Sequence, residues 1–252
     1  MAAGEGPISA AAGESISVRT LRRARAASLE QTSSPEAVLT PVATERIAHG
    51  FYLRYGKRAL DVVLGTLLLI IVLPLVALVA LAVLVTSGGP VFYRSARLGM
   101  DGSEFQMWKF RTMTRDADAV FDRWKETHPA LAEEMETKWK VRRDPRVTPL
   151  GGFLRRSSLD ELPQFLNVLR GEMSIVGPRP YLSRESLDPM LLRSIVAVRP
   201  GLTGPFQVQG RNAFSPIERQ KLEATYWRSV GLLSDAAYML QTVRPLLRLD
   251  GH

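Results

Sequence analysis

The sequence contains no cysteine and only three histidines. Without cysteine, disulfides, thiolate-bound zinc, iron–sulfur clusters and a cysteine nucleophile are excluded. His49, His128 and His252 are scattered along the 252 residues, which argues against a histidine metal cluster or a Ser-His-Asp triad. No apolar signal-peptide core follows the first methionine, so a cleaved leader is not expected.

Positive charge exceeds negative charge, with 33 Lys and Arg against 25 Asp and Glu and a pI of about 10.1. A net charge of +8 suits an anionic partner: nucleic acid, anionic lipid or a phosphorylated substrate. Residues 1–50 are rich in Ala, Ser, Thr and Gly and carry arginines between Arg19 and Arg25. This composition predicts a disordered basic tail, with a short surface helix from Val18 to Leu29 as the alternative.

Residues 51–88 are expected to meet the membrane. Val62 to Val85 contains no charged residue, and as a straight helix it would extend roughly 36 Å, enough for about 30 Å of hydrocarbon. One interpretation is a single transmembrane helix. The other is a re-entrant helix broken at Pro74, whose ring removes a helical hydrogen bond and disfavours helical geometry at Leu73.

The charges around this stretch bear on the choice. Basic residues stand on both sides of it, and the positive-inside rule places both sides in the cytoplasm; they are Arg54, Lys57 and Arg58 before, and Arg94 and Arg97 after. Asp61 is expected to face the headgroups or to cap the helix. Sequence physics alone leaves the spanning and re-entrant interpretations open.

Residues 89–252 predict a mainly helical α+β domain. Aromatic-rich segments around a turn at Asp101-Gly102 indicate a β-hairpin that carries Arg97, Lys109 and Arg111 outward. Other expected elements are a charged helix over 116–140, an amphipathic helix from about Asp160 ended by Gly171, a strand at Ser174-Ile175-Val176, and helices over about Pro216–Tyr226 and Leu233–Val243.

Asp160 and Glu161 are the leading candidates for chemistry. Carboxylates in a first helical turn usually complement the helix dipole, and Ser158 to Glu161 fits a capping box. However, Arg155 and Arg156 lie just upstream. In that field an aspartate is expected to stay ionised and could attack phosphorus, and an adjacent carboxylate could hold Mg²⁺.

Several basic residues are candidates for phosphate binding. In Gly177-Pro178-Arg179-Pro180, two prolines stiffen the backbone around an arginine that suits bidentate phosphate contacts, and the glycine allows close backbone approach. A rigid turn with an incidental arginine is the alternative. Lys109 and Arg111 would join Arg179 if the fold brings them together; Arg155, Arg199 and Arg211 complete the candidates.

From Lys57 to about Arg248 the chain resembles the bacterial sugar transferases, the monotopic polyprenyl-phosphate hexose-1-phosphate transferases. Each matching segment is weak alone, but all of them in order are specific. They include Gly89-Pro90-Val91-Phe92, Lys109-Phe110-Arg111-Thr112-Met113, Asp144-Pro145-Arg146-Val147-Thr148, Ser158-Leu159-Asp160-Glu161-Leu162-Pro163-Gln164, Gly171 to Pro180, and Arg199-Pro200-Gly201-Leu202-Thr203-Gly204.

The resemblance implies a re-entrant helix, amphipathic interfacial helices and a catalytic domain on the cytoplasmic face of the inner membrane. It implies that Asp160 is the nucleophile that takes a phosphosugar from a UDP-hexose and releases UMP. Glu161 would be the Mg²⁺ partner, and Lys109 and Arg179 would bind phosphate. The acceptor would be undecaprenyl phosphate, and the product would initiate exopolysaccharide, capsule or O-antigen synthesis.

The insert near 116–140 and Gly210-Arg211-Asn212 resemble the branch that transfers galactose- or glucose-1-phosphate. The chain also departs from the family: Leu73-Pro74 replaces a common Ser-Pro, and Glu223 stands where aspartate is usual.

Two alternatives to the enzyme interpretation are a membrane-anchored nucleic-acid-binding protein and a non-enzymatic membrane scaffold. The first is weakened by the lack of a recognition-helix pattern. We expect membrane lipid as a partner and no nucleic acid, and leave a homodimer open.

Overall fold

The computed structural model describes residues 50–128, 144–209 and 214–247. The predicted tail over 1–50 therefore lies outside the described residues except for Gly50. The second half of the predicted helix over 116–140 and the candidate residue Arg211 also lie outside them.

The membrane-directed segment is one long helix. A π-helical turn at Tyr52–Gly56 leads into α1, Lys57–Ser87, which contains Pro74 without interruption. The predicted interruption of the helix at Leu73-Pro74 is therefore wrong, whereas the re-entrant course of the segment stays a prediction. Proline removes its own donor, and the hydrogen bonds of neighbouring residues keep the helix continuous. Among the described residues, Tyr52–Ser87 is the one segment long and apolar enough to cross a membrane.

The two ends of α1 are buried against the globular body, and its middle is not. Buried positions are Lys57, Asp61 and Gly65 near the start and Val79 and Val83 near the end. Between them, Ile70 and Ile71 are each 63% exposed. The middle of α1 thus presents apolar side chains that only lipid or another apolar surface would cover.

The predicted hairpin is confirmed. Strands β1, Phe92–Leu98, and β2, Glu104–Phe110, pair antiparallel, with Tyr93 opposite Lys109. Their connection is a short 3₁₀ turn at Met100–Gly102, in which Asp101 has a φ of 60°. The left-handed geometry suits the Asp-Gly pair that predicted the turn.

The segment around the candidate carboxylates is helical, as predicted, but begins differently. Helix α2, Ala117–Thr127, and α3, Pro149–Arg156, precede a 3₁₀ helix at Leu159–Gln164, which continues into α4, Phe165–Arg170. Ser158 is left-handed and its side chain makes no capping bond. The capping interpretation of the Ser158–Glu161 pattern is therefore wrong.

A second sheet follows this helix and has two strands. The predicted strand β3, Ser174–Val176, pairs in parallel with β4, Gly201–Thr203, a strand that the sequence pattern does not predict. A β-carbon at Gly177 would lie 2.4 Å from the carbonyl oxygen of Arg199. The glycine predicted to admit a ligand is thus required by the close crossing of two backbone segments.

The remaining described elements are α5, Pro189–Val196, α6, Pro205–Gln209, α7, Pro216–Ser229, and α8, Leu232–Leu247. Helix α7 begins with a capping box formed by Ser215 and Glu218. Helix α8 runs past Pro245, beyond its predicted end. Two apolar clusters hold these parts together: one joins β2, β3 and α7, and the other joins the end of α1 to Phe110 and Leu154.

Candidate active site

Lys109 lies between the two candidate carboxylates. Its Nζ is 2.7 Å from Glu161 Oε1 and 3.6 Å from Asp160 Oδ2. Asp160 is buried, with 7% of its side chain exposed, whereas the side chains of Lys109 and Glu161 are 21% and 26% exposed. The three groups form a carboxylate–ammonium cluster with one face toward solvent.

Asn167 fixes the strand that carries Lys109. This fully buried residue on α4 accepts a hydrogen bond from the Trp108 main-chain N–H at 3.0 Å and donates to the Gln106 carbonyl at 2.8 Å. Its amide therefore takes the place of a neighbouring strand along the outer edge of β2. This pairing holds Lys109 opposite the 3₁₀ helix that carries Asp160 and Glu161.

A cleft opens beside this cluster and brings further cations to it. Arg97 on β1 donates from Nη1 to the Pro180 carbonyl at 3.1 Å, and Leu98 N–H donates to the Tyr181 carbonyl at 2.9 Å. These bonds attach the loop of Arg179 to the hairpin. The polar side chains lining the cleft are Arg97, Lys109, Glu161, Gln164, Arg179 and Gln207.

Burial shapes the electrostatics of the cleft. It raises the pKa of Asp160, as does Glu161, while Lys109 and Arg155 act in the opposite direction. The expectation that nearby arginines keep Asp160 ionised thus left out burial and Glu161, which both favour its protonated form. Burial and the nearby Arg179 lower the pKa of Arg97 to about 10. Crowded cations that lose hydration are well disposed to bind phosphate.

The carboxylates fit a divalent cation only in part. Within the described ranges there is no group of three or more acidic or histidine side chains placed to hold a metal ion. Together, Asp160 and Glu161 could supply at most two carboxylate ligands. Mg²⁺ commonly binds one or two carboxylates and completes its shell with water and substrate phosphate, so the pair suits a substrate-assisted site.

Other predicted phosphate ligands lie elsewhere. Arg111 is buried rather than outward, and its guanidinium donates to the carbonyls of Ser87, at 2.7 Å, and Gly88 at the end of α1. Arg199 donates from Nε to the Gly171 carbonyl at 2.7 Å. Neither lines the cleft that holds Lys109 and Arg179.

Arg155 occupies an intermediate position. Its Nε donates to Thr112 Oγ1 at 2.9 Å, and it is close enough to Asp160 for each charge to favour ionisation of the other. It therefore favours the ionised form of Asp160 without lining the cleft.

Part of the basic flank used to argue membrane topology is internal. Lys57 is buried, and Arg58 donates to the carbonyls of Val168 and Leu169 at 2.6 and 2.8 Å. Asp61, expected at the headgroups or as a cap, instead accepts from the Ser174 hydroxyl and the Ile175 N–H, both at 2.9 Å. These charges join α1 to the globular body.

Three residues of the cleft were not predicted as site residues: Arg97, Gln164 and Gln207. Each has a buried polar atom without a hydrogen-bond partner among the described residues. Gln164 is the last residue of the 3₁₀ helix that contains Asp160. Its nearness to Asp160 in the sequence could therefore have indicated a place in the site. Arg97 was recognised on the hairpin, but its inward direction depends on the loop of Pro180.

The site lies close to the membrane-directed helix. Leu159 and Leu162, which flank the carboxylates on the 3₁₀ helix, pack on the cluster formed by Val79 and Val83 of α1. The cluster of Lys109, Asp160 and Glu161, the cation-lined cleft and the exposed apolar helix thus lie at one place, an arrangement that suits group transfer between phosphorylated substrates.

Comparison with known proteins identifies the group. A family model described as Bacterial sugar transferase matches residues 52–249. The chain belongs to this family and is a transferase.

The exopolysaccharide production protein ExoY of Sinorhizobium fredii is 43% identical over 193 residues, covering 75% of this chain and 84% of ExoY. The undecaprenyl-phosphate galactose phosphotransferase of Salmonella typhimurium is 37% identical over 204 residues, covering 79% of this chain but 42% of that protein. The UDP-glucose:undecaprenyl-phosphate glucose-1-phosphate transferase of Escherichia coli is 43% identical over 163 residues, or 62% of this chain and 32% of that protein. The chain thus spans less than half of these two longer relatives.

Proposed function

We propose that this protein transfers a hexose-1-phosphate from a UDP-hexose to undecaprenyl phosphate, as an initiating step of exopolysaccharide, capsule or O-antigen synthesis. The observation that carries the proposal is the cluster of Lys109, Asp160 and Glu161 beside a cation-lined cleft and against the apolar helix α1. The relatives named for galactose and glucose transfer support galactose or glucose as the hexose.

In the first proposed step, a carboxylate oxygen of Asp160 attacks the phosphorus bonded to the hexose. The bond from that phosphorus to the UMP oxygen breaks, UMP leaves with the electron pair, and an aspartyl phosphosugar remains. Lys109 orients the carboxylate, and Arg97 and Arg179 stabilise charge on the diphosphate.

In the second proposed step, an oxygen of undecaprenyl phosphate attacks the same phosphorus. The bond to Asp160 breaks, the carboxylate is restored, and the lipid diphosphate hexose is released. The packing of Leu159 and Leu162 on α1 supports this step, because a lipid phosphate held at the membrane surface would be near Asp160.

Mg²⁺ is part of the proposal, with Glu161 as its principal protein ligand beside Asp160. When bound, the ion would neutralise charge on the transferred phosphate. Lys109 holds Glu161 Oε1 at 2.7 Å and so keeps this carboxylate directed at the cleft.

We also propose that α1 is re-entrant and that the domain lies on the cytoplasmic face of the inner membrane. Burial of both ends of α1 on the globular body supports this topology. Since the chain has no cysteine, single cysteines can be placed at Phe51 and Thr86 without other substitutions. A membrane-impermeant maleimide should label both from the cytoplasmic side only; labelling of Thr86→Cys from the periplasmic side would show a spanning helix.

The test of the activity is UMP release from a panel of UDP-sugars in nanodiscs with undecaprenyl phosphate and Mg²⁺. We expect UDP-galactose or UDP-glucose to be preferred, release to depend on the metal, and release beyond one UMP per protein to depend on the lipid. Absence of release from every UDP-sugar in the panel would overturn the proposal. Intact-mass measurement before lipid addition should find one phosphohexose on the protein.

A further inference from the structure

Glu223 on α7 is a buried carboxylate that the proposed mechanism does not use. Its exposed fraction is 0%, and neither of its carboxylate oxygens has a hydrogen bond of good geometry among the described residues. An unpaired buried carboxylate is costly to a fold, so its retention calls for a physical reason.

The surroundings of Glu223 connect it to the cleft. The main-chain N–H of Arg179 faces the carboxylate, and the charges of Arg179 and Arg219 act on it. Arg179 also lines the cleft with Lys109 and Glu161. Glu223 therefore lies behind the loop that presents an arginine to the substrate.

We propose that Glu223 is a positioning residue that controls how strongly Arg179 is available to the substrate diphosphate. A protonated Glu223 leaves the attraction of Arg179 to the bound phosphate undiminished. An ionised Glu223 competes with that phosphate for Arg179 and Arg219, and so weakens binding. The identification of the ligand as a nucleoside diphosphate rests on the proposed function; the coupling between the two residues rests on their placement.

The groups around Glu223 set the pH at which this control operates. Facing it are Arg179 and Tyr181 after β3, Arg219 one turn earlier on α7, and Tyr238 on α8. Glu185 adds its charge through an ion pair with Arg219 at 3.1 Å. Burial raises the pKa of Glu223 to about 8, against the influence of the two arginines. Its ionisation therefore falls between neutral and mildly alkaline pH.

The experiment measures the dissociation constant of UDP calorimetrically at about pH 7 and about pH 9, in a parent protein that carries Asp160→Asn and cannot turn over. We expect Glu223→Gln, which mimics the protonated side chain, to bind UDP as the parent does at the lower pH. Raising the pH should weaken UDP binding by about tenfold in the parent and less than about twofold in Glu223→Gln, because only the parent gains a competing charge. Any titration of Arg97 affects both proteins alike.

Glu185→Gln is the matched control, since it removes a carboxylate near the same arginines and should leave the pH dependence in place. An equal pH dependence in the parent and in Glu223→Gln would overturn the proposal. So would a parent whose UDP affinity is constant over this interval, a result that does not depend on the folding of a Glu223 variant. If UDP does not bind at either pH, the proposed function fails and not the coupling alone.

Discussion

Two lysine–carboxylate pairs among the described residues have nearly equal lengths but opposite surroundings. Lys57 Nζ lies 2.6 Å from Asp235 Oδ2, and the two side chains are 7% and 1% exposed. Lys109 Nζ lies 2.7 Å from Glu161 Oε1, with side chains 21% and 26% exposed. Distance alone would not tell a structural pair from a site.

Their partners separate them. Lys57 also donates to the Val176 carbonyl at 2.8 Å and to the Tyr226 hydroxyl at 3.0 Å, and Asp235 accepts from Tyr52 and Tyr226. These bonds satisfy the ammonium and join α1, β3, α7 and α8. Lys109 instead faces two carboxylates at the edge of a cleft that also holds Arg97 and Arg179. We call the first network closed, because its groups are buried and satisfied by one another, and the second open, because it faces a cleft. A closed network indicates a role in stability, and an open one indicates a role in chemistry.

The largest expected effect is on the open cluster. Asp160→Asn removes the proposed nucleophile with almost no change in shape, so UMP release should fall by at least about 10³-fold and the phosphohexose adduct should disappear. Asp122→Asn on α2, whose carboxylate is 70% exposed, is the matched control and should behave as the unmodified protein. Turnover by Asp160→Asn at the unmodified protein's rate would remove Asp160 from the mechanism.

Lys109→Met tests whether the open pair is dispensable for folding. Activity should fall by about 10²-fold because a charge directed at the reacting phosphate is lost. The thermal midpoint should change little, since the partly exposed Lys109–Glu161 pair contributes only about 0–1 kcal/mol. The buried Asp160, whose pKa is already raised by burial, can take up a proton when Lys109 is removed. Differential scanning fluorimetry in detergent, beside the UMP assay, measures both quantities. A large fall in the midpoint would make Lys109 a structural residue.

Lys57→Met should show the reverse pattern. It leaves the Asp235 carboxylate buried without its cation, and breaking such a pair costs about 3–5 kcal/mol. The double variant Lys57→Met/Asp235→Asn should recover part of that loss, because no unpaired charge remains. The same fluorimetric midpoints measure the coupling. If Lys57→Met is as stable as the unmodified protein, the closed network contributes nothing to the fold.

The sequence predicted elements whose signals are local. The hairpin was predicted from aromatic strands around Asp101-Gly102, and the helix after Asp160 from its apolar spacing and Gly171. Strand β4 was missed, because three residues, Gly201–Thr203, have no pattern of their own and become a strand only by pairing with β3.

The ionic contacts were harder to predict. Asp61 was expected at the membrane surface, yet its partner Ser174 lies 113 residues away in the chain. Likewise, Lys109 was grouped with Asp160 only through the family resemblance, and their approach to 3.6 Å depends on Asn167 holding β2 to α4. Such tertiary pairings have no local signal in a single sequence, which is also why Arg111 was expected to point outward.

The last prediction concerns Glu223, which belongs to neither pair and whose two carboxylate oxygens have no hydrogen-bond partner among the described residues. Burial raises its pKa from 4.5 to about 8 in the folded chain. Between those values the folded chain holds a proton that the unfolded chain has released. Stability from this group is therefore complete below about pH 4.5 and declines as pH rises toward 8, by at most about 1.4 kcal/mol per pH unit.

Glu223→Gln titrates in neither state, so subtracting its thermal midpoint from that of the unmodified protein isolates this contribution. The midpoint of the unmodified protein, relative to that of Glu223→Gln, should fall steadily from about pH 5 to about pH 8. It should then level off, because above its folded pKa the group is ionised in both states. The contributions of Lys57 and Lys109 to the two midpoints cancel in the subtraction, since both proteins contain these residues. A difference that stays constant with pH would mean that Glu223 is ionised throughout, and that the arginines behind the cleft already form a closed network like that of Asp235.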